Sequence, residues 1–113
     1  MTNGTSIPDF DEIASLIKEM FYVLRDPYMQ WADIARCAIR GLPHDAQRLT
    51  ELEKYINSVR VDLRKAILIA SEHFPEEQLR TLRSYAGMSK TAWRSFKKNR
   101  VVTTKNGFTL VSY

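Results

Sequence analysis

The side chains with the clearest chemistry in this sequence are cations, and they are concentrated at its end. From Leu79 to Tyr113 there are eight basic residues and no acidic one: Arg80, Arg83, Lys90, Arg94, Lys97, Lys98, Arg100 and Lys105. The preceding 78 residues carry all 13 acidic residues and the other nine basic ones, so their net charge is negative. Clustered cations attract polyanions, because binding to phosphates releases counterions. The pattern favours a surface that binds nucleic acid or another acidic partner over a surface that only keeps the protein soluble.

The residue types and their spacing do not indicate a catalytic, metal-binding or cofactor-binding site. His44 and His73 are isolated, and the sequence has no phosphate-binding loop, dinucleotide fingerprint or nucleophile elbow. We therefore expect no enzyme activity, no metal and no cofactor. Cys37 is the single cysteine, which excludes an intrachain disulfide. Without a signal peptide, or an apolar run of the roughly 20 residues that cross a bilayer, we expect a cytoplasmic protein without membrane contact.

Two amphipathic helices are predicted before residue 41. Apolar residues recur at spacings of three and four from Phe10 onwards, and this first helix is predicted to end near Asp26–Pro27. A second helix follows from about Tyr28 to Arg40 and is closed by Gly41. Because the connection is short, the two helices are predicted to form an antiparallel pair.

A third and longest helix is predicted from Asp45 to His73. It carries a heptad stripe formed by Leu49, Leu52, Ile56, Val59, Leu63, Ala66 and Ala70. This stripe is typical of a coiled-coil seam, and also of a long central helix against which the first two helices pack. Further apolar residues, among them Val61 and Ile69, widen the stripe and favour the central helix. A dimer that shares part of this helix is compatible with both interpretations.

Two shorter helices are predicted after Pro75. Glu76 and Glu77 open the fourth, where carboxylates favour the positive end of the helix dipole. Gly87 suits the left-handed backbone at its end. Ser89 is a strong N-cap for a fifth helix, from about Lys90 to Asn99.

The segment from Leu79 to Lys98 resembles the helix-turn-helix of bacterial and phage DNA-binding regulators. When Leu79 is counted as the first position of the motif, apolar residues occupy the positions that it keeps apolar, namely Leu82, Ala86, Met88, Trp93 and Phe96. Gly87 falls on its turn glycine. Arg83 departs from the motif, which usually has a small residue there so that the two helices approach closely. The resemblance implies that the fifth helix is a recognition helix with Ala92, Trp93 and Phe96 turned inwards.

A set of DNA-binding residues follows from this resemblance and from the charge. They are Lys90, Thr91, Arg94, Ser95, Lys97, Lys98, Arg100 and Lys105. Arg94 is predicted at the centre of the exposed face and is the candidate for direct base readout. Lys97, Lys98 and Arg100 are predicted to clamp phosphates.

The last residues predict a short two-stranded β-hairpin on Asn106–Gly107, because β-branched residues lie on both sides of this dipeptide. After a recognition helix, such a hairpin resembles the wing of winged helix-turn-helix proteins, with Lys105 at its tip near DNA. A hairpin that only covers the core or adds a strand to a partner is the alternative.

The sequence therefore predicts a single, mainly α domain over residues 1–113, with about five helices and one long central helix. Residues 1–8 are expected to be flexible, 9–75 to form a helical core or dimerisation part, and 76–113 to form the basic helix-turn-helix with its hairpin. The predicted function is that of a small transcriptional regulator of bacterial, phage or mobile-element origin, acting on double-stranded DNA as a homodimer. The alternative is a helical interaction factor or inhibitor of the host-takeover type, whose basic end grips an acidic protein. A protein partner could also bind through the N-terminal helices.

Overall fold

Helices make up most of the described chain. The structure is a computed structural model that describes residues 8–98. Its helices are α1 (Phe10–Val23), α2 (Arg25–Ile39), α3 (Ala46–His73), α4 (Glu76–Ala86) and α5 (Lys90–Lys97). No β-strand occurs between residues 8 and 98, and the mainly helical class is confirmed. The predicted hairpin on Asn106–Gly107 and all but the last residue of the predicted flexible N-terminus, 1–8, lie outside the described residues.

The long helix α3 is the axis of the fold. It has 28 residues, and at 1.5 Å per residue it is about 42 Å long. Its partner α2 packs along the N-terminal half, where the indole N–H of Trp31 donates to Glu53 Oε2 at 2.9 Å. Its other partner, α1, packs along the C-terminal half, where Phe10 meets Phe74 edge-on at 5.2 Å between ring centroids. Consequently α1 and α2 lie end to end, and both run antiparallel to α3.

This arrangement shows that the predicted boundary near Asp26–Pro27 and the predicted pairing of the first two helices are wrong. Only Leu24 separates α1 from α2, and it is 1% exposed. Pro27 lies within the first turn of α2, where a backbone N–H has no intrahelical partner and proline is tolerated. A single connecting residue with helical backbone angles does not reverse the chain, so α2 continues along α3.

The predicted heptad stripe is buried within one chain. Six of its members are at most 5% exposed: Leu49, Leu52, Ile56, Leu63, Ala66 and Ala70. They pack against the other helices in a shared core, which confirms the long central helix. Val61 and Ile69 were expected to widen the stripe but are each 43% exposed, so they lie on the solvent side.

One hydrophobic core joins all of the helices between residues 8 and 98. Trp31, Leu24 and Phe96 are among its most deeply buried side chains. None of these helices combines the length and the apolar character that a membrane span needs. In the C-terminal part of the described chain, α4 packs mainly on α1 and α5 packs on α3. One side of α5 therefore lies against the core.

Candidate nucleic-acid interface

The turn between α4 and α5 is built by two local capping motifs. Gly87 has φ +72°, and its N–H donates to Ser84 O at 3.2 Å while the N–H of Met88 donates to Arg83 O at 2.9 Å. This pair of bonds closes a helix on a left-handed residue. Ser89 then accepts the N–H of Ala92 at 3.0 Å as the N-cap of α5. Both predicted caps are confirmed.

Helix α5 has one buried and one exposed side. Its buried residues are Ala92, Trp93, Ser95 and Phe96. Lys90, Thr91, Arg94 and Lys97 are exposed, and so is Lys98, which directly follows the helix. We call these five residues the basic face. At about 100° per residue, the basic face covers an arc of roughly 120° with Arg94 near its middle. The inward orientation predicted for Ala92, Trp93 and Phe96 is confirmed.

The prediction that Ser95 belongs to the exposed face is wrong. Ser95 is 8% exposed and lies about 60° around the helix from Ala92, three residues earlier. It therefore shares the inward side, and its small size suits a close approach to the core. The helix also ends at Lys97, before the predicted Asn99. Arg100 and Lys105 lie outside the described residues, and their roles stay predictions.

The cations of the basic face are not paired with carboxylates. Between residues 8 and 98, none of Lys90, Arg94, Lys97 and Lys98 forms an ion pair with a carboxylate. The reason is in the sequence, which has no Asp or Glu after Glu77. The charge of the basic face is thus available to an external anion.

Arg64 on α3 lies beside the end of α5, although the sequence did not predict a role for it. Its Nε donates to the backbone oxygen of Lys97 at 3.0 Å. The last carbonyls of a helix lack intrahelical partners and carry the negative end of its dipole, so a cation there stabilises the helix. The contact joins residues 33 positions apart, and no local pattern indicates it.

Arg83, the residue that departs from the helix-turn-helix pattern, is buried rather than exposed. It is 8% exposed, and its guanidinium donates to Glu76 Oε2 at 2.7 Å. The same group lies over the Trp93 ring, 5.8 Å from the ring centroid. Arg83 therefore links α4 to α5 where the motif usually has a small residue, and it does not contribute to the cationic surface.

The ion pair with Arg83 makes stability depend on the charge of Glu76. The hydrogen bond from Arg83 holds the pKa of the Glu76 carboxyl below its ordinary value of 4.5, and the charges of Arg83, Lys90 and Arg80 act in the same direction against desolvation. A depressed pKa in the folded state stabilises the fold above the ordinary pKa, and this contribution is lost as the pH falls through the depressed value.

We therefore expect Glu76→Gln to lower the melting temperature near neutral pH, with the gap to the parent chain closing as the pH falls below 4.5. Thermal unfolding followed by circular dichroism between about pH 7 and pH 3 measures this gap. Glu77→Gln is the matched control, since Glu77 shares the first turn of α4 but has no ion pair within residues 8–98. A gap that stays constant over this range would contradict the assignment.

A second buried arginine, Arg60 on α3, anchors α5 to the rest of the core. Arg60 is 2% exposed, and its guanidinium donates to the hydroxyl of Tyr28 on α2. It also lies over the ring of Phe96, 4.5 Å from the centroid. Phe96 in turn meets Phe21 of α1 edge-on at 5.7 Å between centroids. Arg60 lies four residues after Ile56 and three before Leu63, and this spacing is a local signal of its inward position that the sequence-based predictions did not include.

Comparisons with protein families, curated proteins and solved structures found no match to this chain.

The described residues of α5 thus form a cationic surface. Between residues 8 and 98, no three His, Cys, Asp or Glu side chains lie close enough together to hold a metal ion. Of the predicted DNA-binding residues, the structure brings together the five of the basic face and excludes Ser95. What this arrangement can do is bind a polyanion.

Proposed function

We propose that this protein binds double-stranded DNA through the basic face of α5 and acts as a transcriptional regulator. The observation that carries the proposal is the basic face itself, with four exposed cations that form no ion pair within residues 8–98. A B-DNA major groove is about 12 Å wide and admits an α-helix. A helix with cations along one exposed side is suited to enter it.

The packing behind the basic face suits a helix that presents its side chains to a partner. Trp93 and Phe96 are 5% and 1% exposed, and Arg60 and Arg83 each lie over one of these rings. A helix held by buried contacts presents its exposed side chains from a fixed backbone, which reduces the conformational entropy lost on binding.

The residues of the basic face divide into two roles in this proposal. Arg94, near the middle of the arc, reads a base edge in the major groove, where a bidentate arginine donates to guanine. Lys97 and Lys98, at the end of the helix, bind phosphates and set the register. Lys90 and Thr91 contact the DNA beside Arg94.

The proposal includes a homodimer. One recognition helix makes few contacts, and a two-fold symmetric pair of chains doubles them on a palindromic site. Sedimentation of the protein alone and with a duplex would measure this stoichiometry.

A different partner, an acidic protein surface, is the second candidate. It is favoured by large apolar side chains exposed on the N-terminal helices, where Tyr22 is 65% and Met29 is 63% exposed. Such residues are enriched in protein interfaces. In this case the basic face would bind carboxylates, and the protein would act as an interaction factor or inhibitor.

The decisive experiment is a salt titration of DNA binding with single variants. A preferred duplex is first selected from a random pool with the parent protein. Arg94→Ala is expected to cost about 1–3 kcal/mol on this duplex and to relax the preference at one base pair, whereas Lys97→Ala weakens all duplexes alike and lowers the salt slope by about 1.

Lys54→Ala is the control, because Lys54 is exposed on α3 outside the basic face. Equal losses on selected and random DNA for both Arg94→Ala and Lys97→Ala would contradict the readout role of Arg94. Absence of salt-dependent binding to any duplex, together with capture by an acidic protein, would replace DNA with the second candidate.

A further inference from the structure

A cationic groove lies next to the turn that leads into α5. It has a volume of about 410 Å³ and runs between the C-terminal half of α1 and the end of α4. Its lining residues are Lys18, Phe21, Tyr22, Arg25, Ala86 and Gly87. Two cations and two aromatic rings are present in this lining, and there is no carboxylate.

Both cations of this groove lie against tyrosine rings. Lys18 Nζ is 4.3 Å from the centroid of the Tyr85 ring, and the Arg25 guanidinium is 5.8 Å from that of Tyr22. Within residues 8–98 neither cation forms an ion pair. A ring face attracts a cation without neutralising its charge. Lys18 and Arg25 are therefore oriented and remain available to an anion.

A neighbouring, larger groove does not share this character. It has a volume of about 840 Å³ and also includes Tyr22 and Arg25, but Asp26 and Glu51 are in its lining. Its second arginine, Arg48, lies 3.7 Å from a Glu51 carboxylate oxygen. Positive and negative charges balance there, so the cationic surface ends at Arg25.

The cationic groove lies within reach of the basic face of α5. Gly87 lines the groove, and Lys90 follows three residues later; three residues span at most about 11 Å. Each strand of DNA carries one phosphate per about 3.4 Å of helix axis, so this distance corresponds to roughly three phosphates. A DNA backbone bound at the start of α5 can therefore reach the edge of the groove at Gly87.

We propose that Lys18 and Arg25 form a second phosphate-binding site for the DNA strand that binds at the start of α5. This inference rests on the proposed function. It assigns a DNA contact to α1 and to the start of α2, outside the helix-turn-helix and in the part of the chain with negative net charge. A duplex would thus bind across both the basic face and the groove.

The test is the slope of log K against log salt for a mixed-sequence duplex, measured by fluorescence anisotropy. Lys18→Gln/Arg25→Gln is expected to reduce the magnitude of the slope by about 1.8, which is about 0.9 for each lost phosphate contact. Lys54→Gln/Lys65→Gln makes the same change in net charge at two exposed positions of α3 outside the groove. This control is expected to leave the slope unchanged.

The outcomes separate this inference from the proposed function. If Lys97→Gln/Lys98→Gln lowers the slope and Lys18→Gln/Arg25→Gln does not, the groove is not a phosphate site and the proposed function stands. An equal reduction by the Lys54/Lys65 control also overturns the inference, because it indicates a general charge effect. A parent chain without salt-dependent binding overturns both.

If the double variant unfolds, the single variants Lys18→Gln and Arg25→Gln provide the test, and each is expected to reduce the magnitude of the slope by about 0.9.

Discussion

Neutralising the four cations of the basic face, in the variant Lys90→Gln/Arg94→Gln/Lys97→Gln/Lys98→Gln, is expected to lower affinity for DNA by a factor on the order of 10³ at about 0.1 M salt. The slope of log K against log salt should fall by about 2.7, because the three lysines that meet phosphates contribute about 0.9 each and Arg94 contacts a base edge. The effect is large because these cations form no ion pair within residues 8–98, so their charge is not already compensated.

Anisotropy measurements between about 50 and 200 mM salt give both the affinity and the slope. The control replaces Arg36, Arg40, Lys54 and Lys65 with Gln, which makes the same change in net charge at exposed positions outside the basic face. One of the four, Arg36, also loses its exposed ion pair with Asp33. Substitutions at such surface positions change stability by only about 0.5 kcal/mol each. Equal losses in the two quadruple variants would show that net charge, and not the basic face, determines binding.

Replacing Phe96 with Ala is expected to lower the free energy of unfolding by about 3–5 kcal/mol. Phe96 is 1% exposed and contacts the rings and charges that fix α5, with Phe21 at 5.7 Å between centroids and Arg60 at 4.5 Å from its ring. Domains of this size have a total stability of about 5–15 kcal/mol, so the loss is a large fraction of it. Because α5 loses its main anchor, DNA binding should weaken together with stability.

Urea denaturation followed by circular dichroism measures this change through the midpoint and the m-value. Tyr55→Ala is the control, since Tyr55 is 48% exposed, and removing a half-exposed ring should lower the free energy of unfolding clearly less than removing a buried one. A Phe96→Ala variant as stable as this control would mean that α5 is not held through its ring.

The ends of helices in this protein follow from the sequence where the signal is local. Asp45 and Ser89 cap α3 and α5 through their own side chains, and Gly87 ends α4 with a left-handed backbone. These features depend on residues within one or two turns, so contiguous sequence is sufficient to predict them. The exception is Pro27, since proline is compatible with both the end of one helix and the first turn of the next.

The sequence predicted only part of the way in which the helices pack on one another. The heptad stripe of α3 identified a buried side, but the same stripe is compatible with a coiled-coil seam. Which of the two forms depends on whether α1 and α2 cover the stripe. Their end-to-end arrangement along α3 does so, and it depends on the single-residue junction at Leu24.

The basic face shows the same division. Its charge and spacing are properties of residues 90–98 alone, so the sequence determined Lys90, Arg94, Lys97 and Lys98 as a candidate polyanion-binding surface. Only the tertiary structure decided which arginines belong to it, because burial depends on partners far along the chain. Arg60 contacts Phe96 and Tyr28 in the core. Arg83 is buried against the Trp93 ring, and Arg64 donates to the last residue of α5.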